Sequence, residues 1–183
     1  MATDDELSEL VARVARWALG AKSRLVTAES CTGGWIAKVF TDAAGSSRWF
    51  ECGYVTYSNE AKVRDLGVSQ RTLDEHGAVS EATVREMARG ALRVTGAEVS
   101  IAVSGIAGPD GGSAEKPVGT VWFCVGRRVG GGAATRPEIE LLTAGDLFGG
   151  NREAVRRASA QRALELVLQF ETRSAAVSGE RER

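Results

Sequence analysis

The first apolar pattern along the chain is helical. In "DELSELVARVARWALGA" (residues 5–21), Leu7, Leu10, Val11, Val14 and Trp17 recur every three or four positions and predict one amphipathic helix. The period then changes: "RLVTAES" (24–30) is a short apolar run that predicts a strand, and "CTGGWIAKVFTDA" (31–43) reads as a helix opened by glycines. After a turn at "GSS" (45–47), "WFECGYVTYS" (49–58) is β-rich, and "NEAKVRDLG" (59–67) predicts a short helix capped by Ser58 or Asn59. A small helical piece around Gln70–Glu75 precedes "VSEATVREMARGALRVTG" (79–96). There Ser80 is the capping residue, and Val84, Met87, Ala88, Ala91 and Leu92 make one apolar face.

The second half is strand-rich. "EVSIAVSG" (98–105) and "GTVWFCVG" (119–126) predict buried strands, "RRVGGGAATRPE" (127–138) a flexible connection, and "IELLTA" (139–144) the last strand. A helix is expected from about Asn151 to Phe170, followed by the frayed or disordered "SAAVSGERER" (174–183). Helices and strands alternate early and strands cluster late. That order predicts an α/β fold, a three-layer α/β/α sandwich with a mixed central sheet, as a single domain over residues 1–173 with a disordered tail over 174–183.

Composition narrows the function classes. With 43% hydrophobic and 26% charged residues, a chain of 183 can bury a sizeable core in one domain. Its 23 basic and 24 acidic side chains nearly cancel, which supplies no electrostatic reason for a nucleic-acid or membrane partner. No stretch reaches the ~20 apolar residues of a membrane span. The acidic opening "MATDDELSEL" is unlike a signal peptide, so a cytoplasmic location is expected. Cys31, Cys52 and Cys124 are odd in number and lack a CxxC pair, as free thiols in a reducing compartment would be. His76 is the one histidine. An imidazole-rich metal centre is therefore disfavoured, and the expected chemistry needs neither metal nor cofactor.

Three segments carry candidate chemistry. In "TAESCTGGW" (27–35) a strand gives way to glycines. Such a junction exposes Ser30 at a sheet edge beside free amides, and Gly33 and Gly34 leave room for a ligand: the logic of an activated serine with an oxyanion hole. The plainer reading makes Ser30 or Thr32 a helix cap. Cys31 competes as a nucleophile if a helix N-terminus lowers its pKa, or is simply a buried structural thiol. In "YSNEAK" (57–62), Lys62 falls in a first helical turn, where the dipole and burial would both favour the neutral amine. A neutral Lys62 can take a serine proton, with Tyr57 relaying it or fixing the lysine; otherwise the pair is a solvated lysine and a packing tyrosine. His76, before a glycine, reads as a helix C-terminal residue rather than a triad member. The third segment, "SGIAGPDGG" (104–112), follows the strongest strand, and its amides can cradle an anion or a ribose. It fits neither a Walker A loop nor GxGxxG, and a plain turn would also serve. Lys116 stands ready behind it for a phosphate or carboxylate.

"AESCTGG", "GSSRWFECGYVTYSNEAKVRDLGV", "HGAVSEATVREMARGA", "SGIAGPDGG" and "KPVGTVWF" occur in the order found in the CinA C-terminal domain family. The chain resembles that family, which comprises the bacterial nicotinamide mononucleotide deamidases, over roughly residues 5–170, and in particular its stand-alone form. The resemblance implies an α/β/α sandwich that hydrolyses the carboxamide of nicotinamide mononucleotide to nicotinate mononucleotide and ammonia. It points to Ser30 as nucleophile and Lys62 as general base, with Tyr57 assisting. Amides around Thr32, Gly33 and Gly34 would then meet the oxyanion. Phosphate and ribose fall to the loop containing Ser104, Gly105, Ala107, Gly108, Gly111 and Gly112, with Lys116 and Arg152 and, more weakly, Arg48. Ser104 stands where threonine is usual, and "GNR" (150–152) replaces the usual "GDR". The family is commonly oligomeric, so a homo-oligomer, dimer or higher, is expected. Two other readings compete: a non-catalytic CinA-like binding module linked to competence or DNA damage, and an amidase for another small amide.

Overall fold

The computed structural model describes residues 3–130 and 138–181, with side-chain surroundings to Thr172. Helix α1 (Asp4–Gly20) leads into β1 (Leu25–Glu29), α2 (Trp35–Asp42), a 3-10 turn at Ser46–Arg48 and β2 (Phe50–Val55). Next come α3 (Asn59–Leu66), α4 (Gln70–His76) and α5 (Glu81–Thr95). Strands β3 (Val99–Gly105), β4 (Thr120–Val129) and β5 (Glu138–Leu147) precede α6 (Arg152–Arg181). The strand order is β2-β1-β3-β4-β5. β1 is parallel to both β2 and β3, whereas β4 is antiparallel to β3 and to β5. The expected mixed sheet is present. β4 keeps Arg127, Arg128 and Val129 in its pairing with β5, so the connection read over 127–138 begins later than its glycine content suggested. The remainder of that connection, residues 131–137, lies outside the described residues.

Alternation along the strands divides the core into two layers. Leu25, Ile101, Val103, Phe123 and Val125 face α1, α2 and α6, where they meet Val14, Ile36, Phe40 and Leu164. Val26, Ala28, Ala102 and Cys124 face α3, α4 and α5, where they meet Leu66, Leu73, Met87 and Leu92. β1 and β3 are covered on both faces, so every residue from Leu25 to Glu29 and from Val99 to Ser104 is buried. No helix among the described residues is long and apolar enough to cross a membrane.

Register sets the working edge. Glu29 lies opposite Val55 on one side and Val103 on the other, so β1 and β2 end level and β3 runs two residues further, to Gly105. Thr120, which starts β4, pairs with Leu147, which ends β5. Four connections therefore converge on one edge: those after β1, β2 and β3, and the one leading into α6. This is where open α/β sheets place their ligand clefts.

α3 is pressed against α5 at Gly90. A Cβ on Gly90 would stand 2.0 Å from the Leu66 carbonyl oxygen, which no real atom tolerates. Gly90→Ala should therefore cost about 2 kcal/mol or more by forcing the helices apart. Urea unfolding checks this; a midpoint equal to wild type would show that the packing gives way freely.

Candidate active site

Ser30 follows β1 directly, and its amide extends the ladder by donating to the Val103 carbonyl (3.0 Å). The chain then turns instead of starting a helix. Gly33 and Gly34 adopt left-handed φ of 61° and 90°, and α2 begins only at Trp35. The expected helix over 31–43 is thus a four-residue turn followed by a shorter helix. The first amides of α2 are also not left open for a ligand: Ile36 and Ala37 donate to the two carboxyl oxygens of Glu29 (3.1 and 2.8 Å). Buried Glu29, which sequence reasoning passed over, fills the anion position of that helix end.

Lys62 approaches from the other side. Ser58 caps α3 through its hydroxyl, which accepts from the Ala61 amide (3.1 Å). That cap turns Lys62 inward, where only 1% of it is exposed. Its Nζ lies 3.0 Å from Ser30 Oγ, 2.7 Å from the Thr56 carbonyl oxygen and 3.3 Å from that of Tyr57. Burial drives the Lys62 pKa down from 10.5 to about 8. The Cys31 thiol moves in the opposite direction, to about 12, chiefly because it too is buried. The helix end that would have activated Cys31 is occupied by Glu29 and lies four residues on.

A cavity of about 270 Å³ opens over the pair. Ser30, Lys62 and Tyr57 form one side, and Ser104, Gly105, Ala107, Gly108 and Gly111 line the loop side. Ser104 Oγ is anchored on the Ala78 carbonyl (2.8 Å). Arg152 spans the mouth, donating to the Gly108 carbonyl (2.6 Å) and to Tyr57 Oη (2.8 Å). The Tyr57 phenol thus engages Arg152, and only the Tyr57 carbonyl touches the lysine. Asp110, which the sequence did not single out, is a further lining residue.

Other candidates lie outside the lining. Thr32 is sealed off and Gly33 lies on the opposite side of the turn, while Gly34, Gly112 and Lys116 do not border the cavity. Lys116 is diverted, its Nζ donating to the His76 carbonyl at the end of α4 (2.7 Å). Arg48 is exposed on the 3-10 turn, and His76 is exposed at its helix end. Arg156 was missed altogether: from α6 it donates to the Cys31 and Thr32 carbonyls (3.1 and 2.8 Å). Only its position on a helix with Arg152 one turn earlier hinted at it.

A serine hydroxyl bonded to a desolvated amine at the carboxyl edge of an α/β/α sandwich is an arrangement suited to nucleophilic acyl transfer. Comparison with known proteins gives this class a family. The CinA C-terminal domain model matches residues 7–170. Nicotinamide-nucleotide amidohydrolase PncC of Escherichia coli (strain K12) is 52% identical over 167 residues, spanning 91% of this chain and 96% of that protein. The Pseudomonas putida protein of the same name is 46% identical over 168 residues, spanning 92% and 99%. The crystal structure of competence/damage inducible protein CihA from Agrobacterium tumefaciens superposes with a TM-score of 0.82 at 40% identity, over 91% of this chain and 96% of that one. The chain belongs to the CinA C-terminal domain family, as its motifs indicated.

The lysine shift has a consequence for folding. Between pH 8 and 10.5 the unfolded chain holds more protons at Lys62 than the folded one, so stability rises with pH across that window. Urea titrations should show wild type gaining on Lys62→Met by roughly 3 kcal/mol at most from the lower to the upper limit. A difference that stays flat would mean that the amine is not desolvated.

Proposed function

We propose that the chain is a nicotinamide-nucleotide amidohydrolase that converts nicotinamide mononucleotide and water to nicotinate mononucleotide and ammonia through a metal-free Ser–Lys pair and an acyl-enzyme. The 3.0 Å contact between Lys62 Nζ and Ser30 Oγ inside the cavity carries this reading. The substrate follows the similar nicotinamide-nucleotide amidohydrolases of Escherichia coli and Pseudomonas putida. A pKa of about 8 leaves roughly one amine in ten neutral at pH 7, against about three in ten thousand at 10.5.

The neutral amine accepts the Ser30 proton as Oγ bonds to the carboxamide carbon, and the carbonyl electron pair moves onto oxygen. Of the turn after Ser30, Cys31 alone lines the cavity, so its main chain borders the site of that charge. The carbonyl re-forms as the C–N bond breaks, and the Lys62 ammonium gives its proton to the departing nitrogen, which leaves as ammonia. Lys62, neutral again, deprotonates a water that attacks the acyl carbon; the proton then returns to Ser30 as the acid product leaves. Arg152 and the Gly108–Gly111 loop hold the phosphate and ribose, and the Tyr57 phenol keeps Arg152 across the mouth.

Ser30→Ala and Lys62→Ala should each lower ammonia release at least a thousandfold (about 4 kcal/mol). Cys31→Ala should stay active, and a chelator should change nothing. The wild-type rate should rise with pH to a plateau above about 8, following the neutral amine. Activity surviving in Ser30→Ala would sink the mechanism. A wild type that binds the nucleotide without releasing ammonia would favour the binding-module reading. Arg152→Ala should raise KM about ten- to hundredfold with a smaller effect on kcat, as loss of a charged hydrogen bond to phosphate requires. An unchanged KM would remove Arg152 from the phosphate site.

A further inference from the structure

The turn after Ser30 is held from its outer face by a residue that takes no part in the proton transfers. Arg156 lies on α6, its guanidinium 5.2 Å from the centre of the Trp35 ring. It donates from Nε to the Cys31 carbonyl (3.1 Å) and from Nη2 to the Thr32 carbonyl (2.8 Å). The chain passes so close beneath it that a Cβ on Gly33 would stand 3.2 Å from Nη2, at a backbone φ of 61°. A side chain at that position would be strained.

A trans peptide sets its C=O and N–H in opposite directions. With the Thr32 carbonyl turned to Arg156, the Gly33 N–H points the other way, and it donates to the Ser30 carbonyl (3.0 Å). With the Ser30 carbonyl so engaged, the N–H of the same peptide, that of Cys31, points away from Gly33. Cys31 lines the cavity and directly follows the serine. Guanidinium, Thr32–Gly33 peptide and Ser30–Cys31 peptide thus form one head-to-tail chain of dipoles that starts at a fixed positive charge. Such chains polarise each member in turn.

We propose that Arg156 is a positioning residue: it locks and polarises this two-peptide relay so that the Cys31 N–H is the donor that meets the oxyanion formed at Ser30. The inference rests on Ser30 being the nucleophile. It also explains why the thiol at position 31 can stay inert while its backbone serves the reaction. Arg156 touches neither substrate nor proton, so its effect belongs to the barrier and not to binding.

The test compares wild type with Arg156→Gln, Arg156→Lys and Arg156→Ala, using nicotinamide mononucleotide and, separately, p-nitrophenyl acetate with acetylation of Ser30 read by mass spectrometry. Arg156→Ala should lose on the order of a hundredfold in kcat and in ester acylation, as removal of an oxyanion donor does. KM and the pH midpoint set by Lys62 should stay within about twofold and a few tenths of a unit respectively. Arg156→Lys should recover part of the loss, and Arg156→Gln less; these two carry the test if Arg156→Ala does not fold. A loss that falls mainly on KM, a shifted pH midpoint, or acylation within twofold of wild type in all three variants would overturn the proposal and leave Arg156 a packing staple. If wild type acylates at Ser30 but ignores the nucleotide, and the variants lose acylation, the substrate assignment fails and the relay stands. A wild type that never acetylates at Ser30 overturns both.

Discussion

The site is organised around the desolvated amine of Lys62. A nitrogen with four tetrahedral directions has one for its own chain and three for partners, and the three partners here are the Thr56 carbonyl, the Tyr57 carbonyl and Ser30 Oγ. Two of these can only accept. The third can accept or donate, so protonation of the amine is decided at Ser30 alone. When charged, Lys62 donates to all three; when neutral, it keeps both carbonyls and turns its lone pair to the serine proton. Among the described residues, no carboxylate offsets the loss of water. Glu29, which precedes Ser30, is fully buried but spends both oxygens on α2 amides. Pairing it with Lys62 instead would hold the amine protonated and leave it no lone pair for Ser30.

Much of the fold is built to keep those three partners fixed. The Thr56 amide donates to the Glu29 carbonyl (2.9 Å), which ties the end of β2 to the residue before Ser30. The lysine's carbonyl seat and Ser30 therefore move as one piece. Ser58 sets where α3 starts, and the close approach of α5 at Gly90 sets how deep it lies. Ser30 and Lys62 are 32 residues apart, yet they are joined by one parallel strand pair and one capped helix.

That economy explains what could be read from the sequence. Strand runs covered on both faces, a serine cap before "NEAK" and the single face of α5 are local signals, and they placed β1, β3, α3 and α5. The juxtaposition of Ser30 and Lys62 followed from local signals plus the resemblance. What the sequence did not yield depends on a partner far along the chain. Lys116 looked like a free cation until the α4 carbonyl captured it, and the Tyr57 phenol looked like a proton relay until Arg152 claimed it. The start of α2 was misread because glycines that suit a helix opening suit a left-handed turn equally well. Glu29 passed for one more polar residue at a strand end, since nothing local shows a carboxyl group folding back onto helix amides.

The two cations that bracket the turn after Ser30 differ in acidity. An arginine stays charged throughout the accessible pH range, whereas a buried lysine titrates near neutrality. Exchanging their places would fail on both counts. A guanidinium at the Lys62 seat could not take a proton from Ser30, and a lysine behind the turn would offer one point charge where two successive carbonyls need a planar fork. The position of each follows from what faces it. Lys62 meets two carbonyls and a hydroxyl in a closed space, which penalises its charge without removing its donors. Arg156 meets two carbonyls and the face of Trp35, which favour its charge without enclosing it. One side of the turn is thereby free to change protonation while the other holds the backbone still.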